Sequence, residues 1–431
     1  MTETLVVALG TTVAGTLTRE PRGLRFDYDD AYRQRPGATP LSVSMPLQVR
    51  THRAGKITSW LWGLLPDRAD VLGRWSREFQ TTSSSPFALL ASPVGEDCAG
   101  AVRFLHPGRV ATMLDRPGSI EWLSEQEVAA RLAALRHDPT AWLGADSTGQ
   151  FSLAGAQAKT ALHFDGERWG LPSGAAPTTH ILKPAITGLD DHDLNEHLCL
   201  DAARRAGLTV ARTRIATFAD QTALVIERYD RHRVGPRITR VHQEDLCQAL
   251  GVAPDGKYQT DGGPGVRDIA SILRATITPA PAAAAAVDRL LDALAWNWVI
   301  GGTDAHAKNY ALLLSGHQVR LAPLYDIASV LPYPGVDELK LKMAMKLGGE
   351  YRLKAHGPPT WPNVAAELGL DAAPAVARVT RLVASAPDLL RDAAGTPEVK
   401  RLRSPLPRRL VDAVAARSKR CLRQLPPVSD P

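Results

Sequence analysis

Cysteine is sparse in this chain. Its four residues, Cys98, Cys199, Cys247 and Cys421, stand far apart in 431 positions with no C-x-x-C pair, so neither a zinc site nor a disulfide framework is indicated. They are expected as reduced thiols. No uninterrupted apolar run is long enough to cross a bilayer, and the first ten residues carry no basic n-region, which makes the cytoplasm the expected location. A Walker A loop is missing as well: Ala158 stands where the glycine before Lys159-Thr160 would be required, and a P-loop NTPase is disfavoured. His180, His192, His197, His242 and His306 show no i, i+4 pairing, so metal-hydrolase chemistry has little support. Acidic residues number 45 against 51 basic ones, a net charge of +6, which permits a polyanionic partner without requiring one.

A hydrophobic content of 44% is ordinary for a globular protein with a real core, and the length allows two or three domains. No internal repeat is visible. Residues 1–106 form a β-rich subdomain, with short strands expected at Leu5–Leu9, Leu24–Tyr28 and Ala101–Leu105. Within it, the segment around Trp60–Asp67 reads as a buried helix ending at proline. Residues 107–149 form a connecting segment, in which Ser124 and Glu127 make a capping box that opens a helix running to about Arg136.

Residues 150–232 read as a mixed sheet with a hairpin at Thr160–Phe164 and Arg168–Leu171, and strands at Thr179–Lys183, Thr213–Phe218 and Leu224–Arg228. Asp193 with Glu196 suggests a D-x-x-E cap on a helix stopped by Gly207. Residues 233–425 are expected to be helical, with an amphipathic helix from about 283 to 300 ending at Gly301-Gly302 and a basic one from about Pro407 to Leu425. Residues 426–431 are a tail. Lys400, Arg401, Arg403, Arg408, Arg409, Arg417, Lys419, Arg420 and Arg423 gather near that last helix; a solvated helix face is the plainer reading than nucleic-acid contact, because aromatics are not interleaved.

The chemistry sits at Gly301-Gly302-Thr303-Asp304-Ala305-His306-Ala307-Lys308-Asn309, followed by a hairpin over Tyr310–Leu321 and then Tyr325-Asp326. An acid, an amide five residues later and a second acid after a β excursion are the parts with which kinase-like folds supply a base and two metal ligands. Asp304 would deprotonate an acceptor hydroxyl, while Asn309 and Asp326 would hold magnesium. A polar turn whose Asp and Asn satisfy backbone amides is the alternative for this motif alone. Ser152–Thr160 is a small-residue loop entering a hairpin, where backbone amides and Lys159 suit phosphate oxygens. Lys183 at a strand end with Glu196 on the next helix repeats the kinase arrangement of a strand lysine and a helix acid, although Glu196 also suits a cap. Glu227, Arg228 and Tyr229 would offer backbone groups to adenine. Asp261-Gly262-Gly263-Pro264-Gly265 reads as a structural turn.

Taken together, these positions resemble the HipA family, the toxin kinases of bacterial HipBA toxin-antitoxin systems. The resemblance spans nearly the whole chain: Pro40–Leu47, Leu64–Asp67, Gly155–Thr160, Gln243–Gln248, Asp261–Gly265 and Thr303–Asn309 all match in order. It implies an α+β fold with a bilobed, protein-kinase-like core, an N-terminal β-rich subdomain and an all-helical C-terminal lobe. It implies a serine/threonine protein kinase using ATP and Mg2+, with Asp304 as base, Asn309 and Asp326 as metal ligands, and nucleotide contacts at Ala154, Gly155, Ala156, Gln157, Ala158, Lys159, Lys183, Glu227, Arg228, Tyr229, His306 and Tyr325. Autophosphorylation would fall on Ser152 and expel its loop, since a phosphate of about −2 charge repels nucleotide phosphates. The implied partners are a HipB-like helix-turn-helix antitoxin, operator DNA through that complex with Arg378 and Arg381 near it, and an aminoacyl-tRNA synthetase substrate, usually glutamyl-tRNA synthetase. Phosphorylating it would stop translation and favour persistence. Ala305 replaces a frequent glycine and Ala158 a frequent glutamate, and neither removes a catalytic group. A weakly active co-repressor and a small-molecule phosphotransferase are the rival readings.

Overall fold

The computed structural model describes residues 2–114, 118–144, 151–235 and 237–426. The sequence-based boundary between 149 and 150, and the tail from 427 onward, lie outside them. The chain forms two compact units built from discontinuous segments: 1–184, 216–255 and 311–320 make the first, and 185–215, 256–310 and 321–431 the second.

In the first unit, β1 (Glu3–Leu9), β2 (Thr12–Glu20), β3 (Gly23–Tyr28), β4 (Thr51–Arg53) and β5 (Val102–Leu105) form a sheet in the order β4-β3-β2-β1-β5. Gly15 on β2 has no room for a Cβ, which would lie 2.2 Å from the Asp27 carbonyl on the paired strand. One face of this sheet packs on Trp60, Leu61, Leu64, Leu65, Trp75 and Phe87, all buried. The helix that carries Trp60 runs over Ala54–Trp62 and stops at Gly63, earlier than Pro66, the stop expected from sequence. Gly63 lies against Gln248, whose Cγ would be 2.4 Å from an added Cβ, so the chain turns there, and Leu64 and Leu65 are buried by the turn that follows.

The second sheet contains β6 (Ser119–Leu123), β7 (Thr160–Phe164), β8 (Trp169–Ser173), β9 (His180–Pro184), β10 (Thr213–Phe218) and β11 (Gln221–Glu227), in the order β10-β11-β9-β7-β8-β6. The expected capping box is formed: Ser124 Oγ accepts from the Glu127 amide and Glu127 caps the Ser124 amide, opening the helix Glu125–His137. That helix buries Val128, Ala129 and Leu132 with Leu162, Leu182 and Val225.

Beyond β11 the chain does not turn helical at once, and the C-terminal part is not all-helical. β12 (Arg231–Val234) pairs with β13 (Arg237–Arg240), and β14 (His242–Asp245) joins β15 (Ala311–Ser315) and β16 (Gln318–Leu321) in a three-stranded sheet. In the second unit β17 (Lys342–Leu347) pairs with β18 (Glu350–Arg352). These strands are short and flanked by helices, so their alternating pattern is brief, and only the β15–β16 hairpin announced itself through Ser315-Gly316.

The second unit is otherwise helical, with helices at His192–Arg205, Val266–Thr276, Ala280–Ile300, Thr360–Leu368, Ala372–Ala394 and Leu406–Gln424. Trp296, Trp298 and Trp361 are fully buried among them. The expected D-x-x-E cap is not formed. Asp191, in the left-handed region at φ +55°, is the N-cap, and Asp193 lies within the first turn. Part of the C-terminal basic cluster is structural: Arg417 is buried, donates to the Trp298 carbonyl at 2.8 Å and, with Arg420, pairs with Glu338. Arg378 is held by Asp292. Among the described residues, no helix is long and apolar enough to cross a membrane.

Candidate active site

The helix Ala280–Ile300 delivers the Asp304 loop. It ends at Gly301 in the left-handed conformation, φ +69°, and the Gly301 and Gly302 amides both turn back to Asn297. Neither glycine tolerates a side chain here, since a Cβ would lie 2.7 Å from Leu331 Cγ or 2.4 Å from Asn297 Oδ1. The chain therefore leaves the helix abruptly and presents Asp304 exposed to solvent.

Asp304 and Asn309 are coupled through the main chain. The Asn309 side-chain amide donates from Nδ2 to the Asp304 carbonyl at 2.9 Å, and the His306 amide donates to the same carbonyl at 2.8 Å. With the amide nitrogen so engaged, Oδ1 is the atom through which Asn309 could act as a ligand. The Asp304 carboxylate accepts one hydrogen bond, at Oδ1, from the Tyr258 hydroxyl at 2.8 Å. Tyr258 also sets its ring edge-on to buried His306, centroids 5.0 Å apart.

Asp326 follows the hairpin in the chain. Its backbone is left-handed at φ +57°, a conformation that costs a non-glycine residue free energy and is retained where surrounding structure enforces it. Several contacts do so. Leu324 bridges Val210, with the Leu324 amide on the Thr209 carbonyl at 2.9 Å and the Ala211 amide on the Leu324 carbonyl at 2.8 Å. The Tyr325 hydroxyl donates to the Lys308 carbonyl at 2.6 Å. Fully buried Asn195 grips Ser329 twice, Nδ2 to its carbonyl at 2.7 Å and Oδ1 from its amide at 3.1 Å. Asp304, His306, Asn309, Tyr325 and Asp326 are thus assembled within one unit.

Ser152, residues 154–159, Lys183 and residues 227–229 belong to the first unit, and buried Glu196 to the second. Ser152 is fully buried: its hydroxyl donates to the Leu64 carbonyl at 2.8 Å and its amide to the Asp97 carbonyl at 3.0 Å. Gly155 takes φ +104°, and its carbonyl receives the Asp67 amide at 3.1 Å. Lys159 folds back to the Ala154 carbonyl at 2.7 Å and lies 4.7 Å from the Trp142 ring centroid. Ala156 is exposed, Ala154 and Ala158 are half-buried, and Gln157 keeps a buried Nε2 with no hydrogen-bond partner. Lys183 is buried on β9, opposite Leu224 of β11, and Glu227 is exposed at the end of β11.

Arg228 has a structural role that sequence reasoning missed. Its side chain is buried and pairs with Asp230 at 2.7 Å, with Thr178 Oγ1 at 2.7 Å and with the Cys98 carbonyl at 3.0 Å. Its amide binds the Thr179 carbonyl and its carbonyl the Arg231 amide. With Asp97, Arg231 and Arg240 it forms a buried ion cluster in which the three guanidinium groups hold the Asp97 carboxyl well below its ordinary range despite burial.

Comparison with known proteins names this architecture. Residues 151–390 match the HipA-like C-terminal domain and residues 5–105 the HipA N-terminal domain. A putative kinase of Sinorhizobium fredii, Y4mE, is 34% identical over 86% of this chain and 87% of its own length. The serine/threonine-protein kinase toxin HipA of Shewanella oneidensis is 29% identical over 81% of this chain and 80% of its own. The solved complex of Shewanella oneidensis HipA with HipB and operator DNA superposes with a TM-score of 0.83 at 25% identity, covering 98% of this chain and 100% of that one.

This chain belongs to the HipA family. Its relatives are named kinases, and it is a kinase-type phosphotransferase of that family. The donor set of this HipA-family chain fits the divalent cation and nucleotide such a reaction uses: a carboxylate on an enforced left-handed residue and the oxygen of an amide whose nitrogen is held by the loop are hard ligands, and few enough that phosphate oxygens and water would complete the shell. Among the described residues no three His, Cys, Asp or Glu side chains converge on a metal-holding cluster. The Pro40–Leu47 and His242–Gln248 segments bind each other: the Leu41 carbonyl meets His242 Nε2 at 2.9 Å and the Val43 amide meets Glu244 Oε1 at 2.8 Å. Tyr258 and Asn195 are the supporting residues that the sequence did not reveal. The one local signal was that Tyr258 lies three residues before the glycine-rich Asp261–Gly265 turn.

Proposed function

We propose that this protein is an ATP- and Mg2+-dependent serine/threonine protein kinase acting as the toxin of a toxin-antitoxin module. Asp304 accepts the proton of a Ser or Thr hydroxyl as its oxygen bonds to the γ-phosphorus, and the bond to ADP breaks. Asn309 Oδ1 and the Asp326 carboxylate would hold the magnesium, which when bound would supply positive charge against the phosphates. Nucleotide contacts fall to Ala154 through Lys159, Lys183, Glu227, Tyr229, His306 and Tyr325. Arg228 is left out, because its side chain, amide and carbonyl are all engaged within its own unit. The observation that carries this reading is the bond from Asn309 Nδ2 to the Asp304 carbonyl, which ties the proposed base and metal ligand together in one loop.

The target is an aminoacyl-tRNA synthetase, with glutamyl-tRNA synthetase first among them, so that phosphorylation halts translation in the cytoplasm and promotes dormancy. A HipB-like helix-turn-helix antitoxin restrains the kinase and carries the complex to operator DNA, as the Shewanella oneidensis complex suggests. Ser152 is the proposed autophosphorylation site, which requires its loop to leave the buried position first. Expression of the wild type should arrest growth, Asp304→Ala should not, and co-expression of the antitoxin should restore growth. Arrest by a stably expressed Asp304→Ala variant contradicts the proposal.

A further inference from the structure

We infer that Tyr258 is the positioning residue of the phosphotransfer base, and that the Asp261–Gly265 turn exists to hold it there; this rests on the kinase reading above. Asp304 is exposed, and nothing else among the described residues bonds its carboxylate. A carboxylate on a loop end rotates about its side-chain bonds unless one oxygen is fixed, and a base must aim one lone pair at an acceptor hydroxyl within hydrogen-bond reach. The Tyr258 hydroxyl fixes Oδ1 at 2.8 Å from 46 residues away and leaves Oδ2 for the acceptor.

Tyr258 is itself held at both ends. Its ring edge meets the ring of buried His306, in the same loop as Asp304. Its carbonyl receives the amides of Asp261 at 3.0 Å and Gly263 at 2.9 Å. That return is possible only with glycine: Gly262 stands at φ +86°, and a Cβ on Gly263 would lie 2.1 Å from the Gly256 carbonyl and 2.7 Å from that of Tyr258. Gly265 is tight against Gln259, whose Oε1 accepts the Lys346 amide at 2.7 Å and ties the turn to β17. A turn that sequence placed away from the chemistry is thereby the pedestal of the residue that orients the base. The opposite role, a phenol blocking the base in place of substrate, predicts the opposite kinetics.

The test is the initial rate of label transfer from γ-labelled ATP to protein in a cognate lysate, for full-length wild type, Tyr258→Phe and Asp304→Asn. Tyr258→Phe keeps the ring and loses one hydrogen bond to a charged group, so kcat should fall on the order of tenfold or more. The apparent KM for ATP should stay within about twofold and the melting temperature should be unchanged, a split that a merely structural role would not produce. Gly263→Ala should lower kcat similarly by displacing the Tyr258 carbonyl. A Tyr258→Phe rate equal to or above wild type overturns the inference while Asp304→Asn is inactive. Absence of transfer by wild type, or full activity of Asp304→Asn, defeats the kinase reading itself and the inference with it.

Discussion

Replacing Ser152 with aspartate should drive its loop out of the buried position. Ser152 is fully buried, and its hydroxyl donates to a carbonyl, Leu64 O, at 2.8 Å. Aspartate offers that carbonyl no donor and brings an ionised group into a fully buried position. The loop is anchored chiefly by buried Phe151 and Leu153, each contributing ~2 kcal/mol, and by the Ser152 amide on the Asp97 carbonyl, contributing about 1 kcal/mol. A buried unpaired charge costs about 3–5 kcal/mol, which nearly cancels that anchoring. Protection of the Ser152-position amide against hydrogen exchange should therefore fall from on the order of a thousandfold to nearly none, at about 1.4 kcal/mol per decade. Ser152→Ala loses only the hydroxyl bond and should retain most of the protection. Native protection in Ser152→Asp at neutral pH would refute the reasoning, because the loop would then accommodate negative charge in place.

Three further outcomes are expected. Asp326→Gly relieves the left-handed strain at φ +57°, so thermal stability should hold or rise by up to about 1 kcal/mol while magnesium-dependent ATP affinity by calorimetry falls; unchanged affinity would remove Asp326 as a ligand. Burial pushes the Glu244 carboxyl up to about 8 from 4.5, with the Val43 amide opposing the shift. The folded state then binds a proton that the unfolded state releases above pH ~4.5, so this stabilisation is full in acid and is lost as pH rises through 8. Denaturant titrations should show roughly 2–3 kcal/mol less stability at pH 9 than at pH 6 from this group, and Glu244→Gln should flatten the slope. Finally, the four cysteines are buried and form no disulfide, and burial raises the Cys199 thiol to about 12 and Cys421 to about 11. A disulfide reagent should label none of them quickly until the protein is denatured; rapid native labelling would contradict the packing.

What sequence could reveal followed the range of the forces involved. The Ser124–Glu127 capping box, the Gly301 helix stop and the β15–β16 hairpin rest on contacts within a few residues, so their signals are local and survived intact. The Asp304–Asn309 spacing was legible for the same reason, since the amide closes on a carbonyl five residues back. Where a partner lies far along the chain, local pattern misled. Gly63 ends its helix against Gln248, and Asp191, whose carboxylate accepts from the Ser404 hydroxyl, takes over the cap assigned to Asp193. Arg228 reads as a strand-end residue, yet it is buried in an ion cluster whose members come from 97, 230, 231 and 240. Tyr258 and Asn195 reach Asp304 and Ser329 across 46 and 134 residues, a separation that periodicity cannot register.

The measurement that tests the central claim most directly is phosphoryl transfer itself. Purified wild type and Asp304→Ala are incubated with γ-labelled ATP, magnesium and a cognate lysate, and the labelled residues are located by mass spectrometry. The account predicts Asp304-dependent label on Ser152 and on a synthetase. Folded, ATP-binding wild-type protein that transfers no label would contradict it and favour a co-repressor role in an antitoxin–DNA complex.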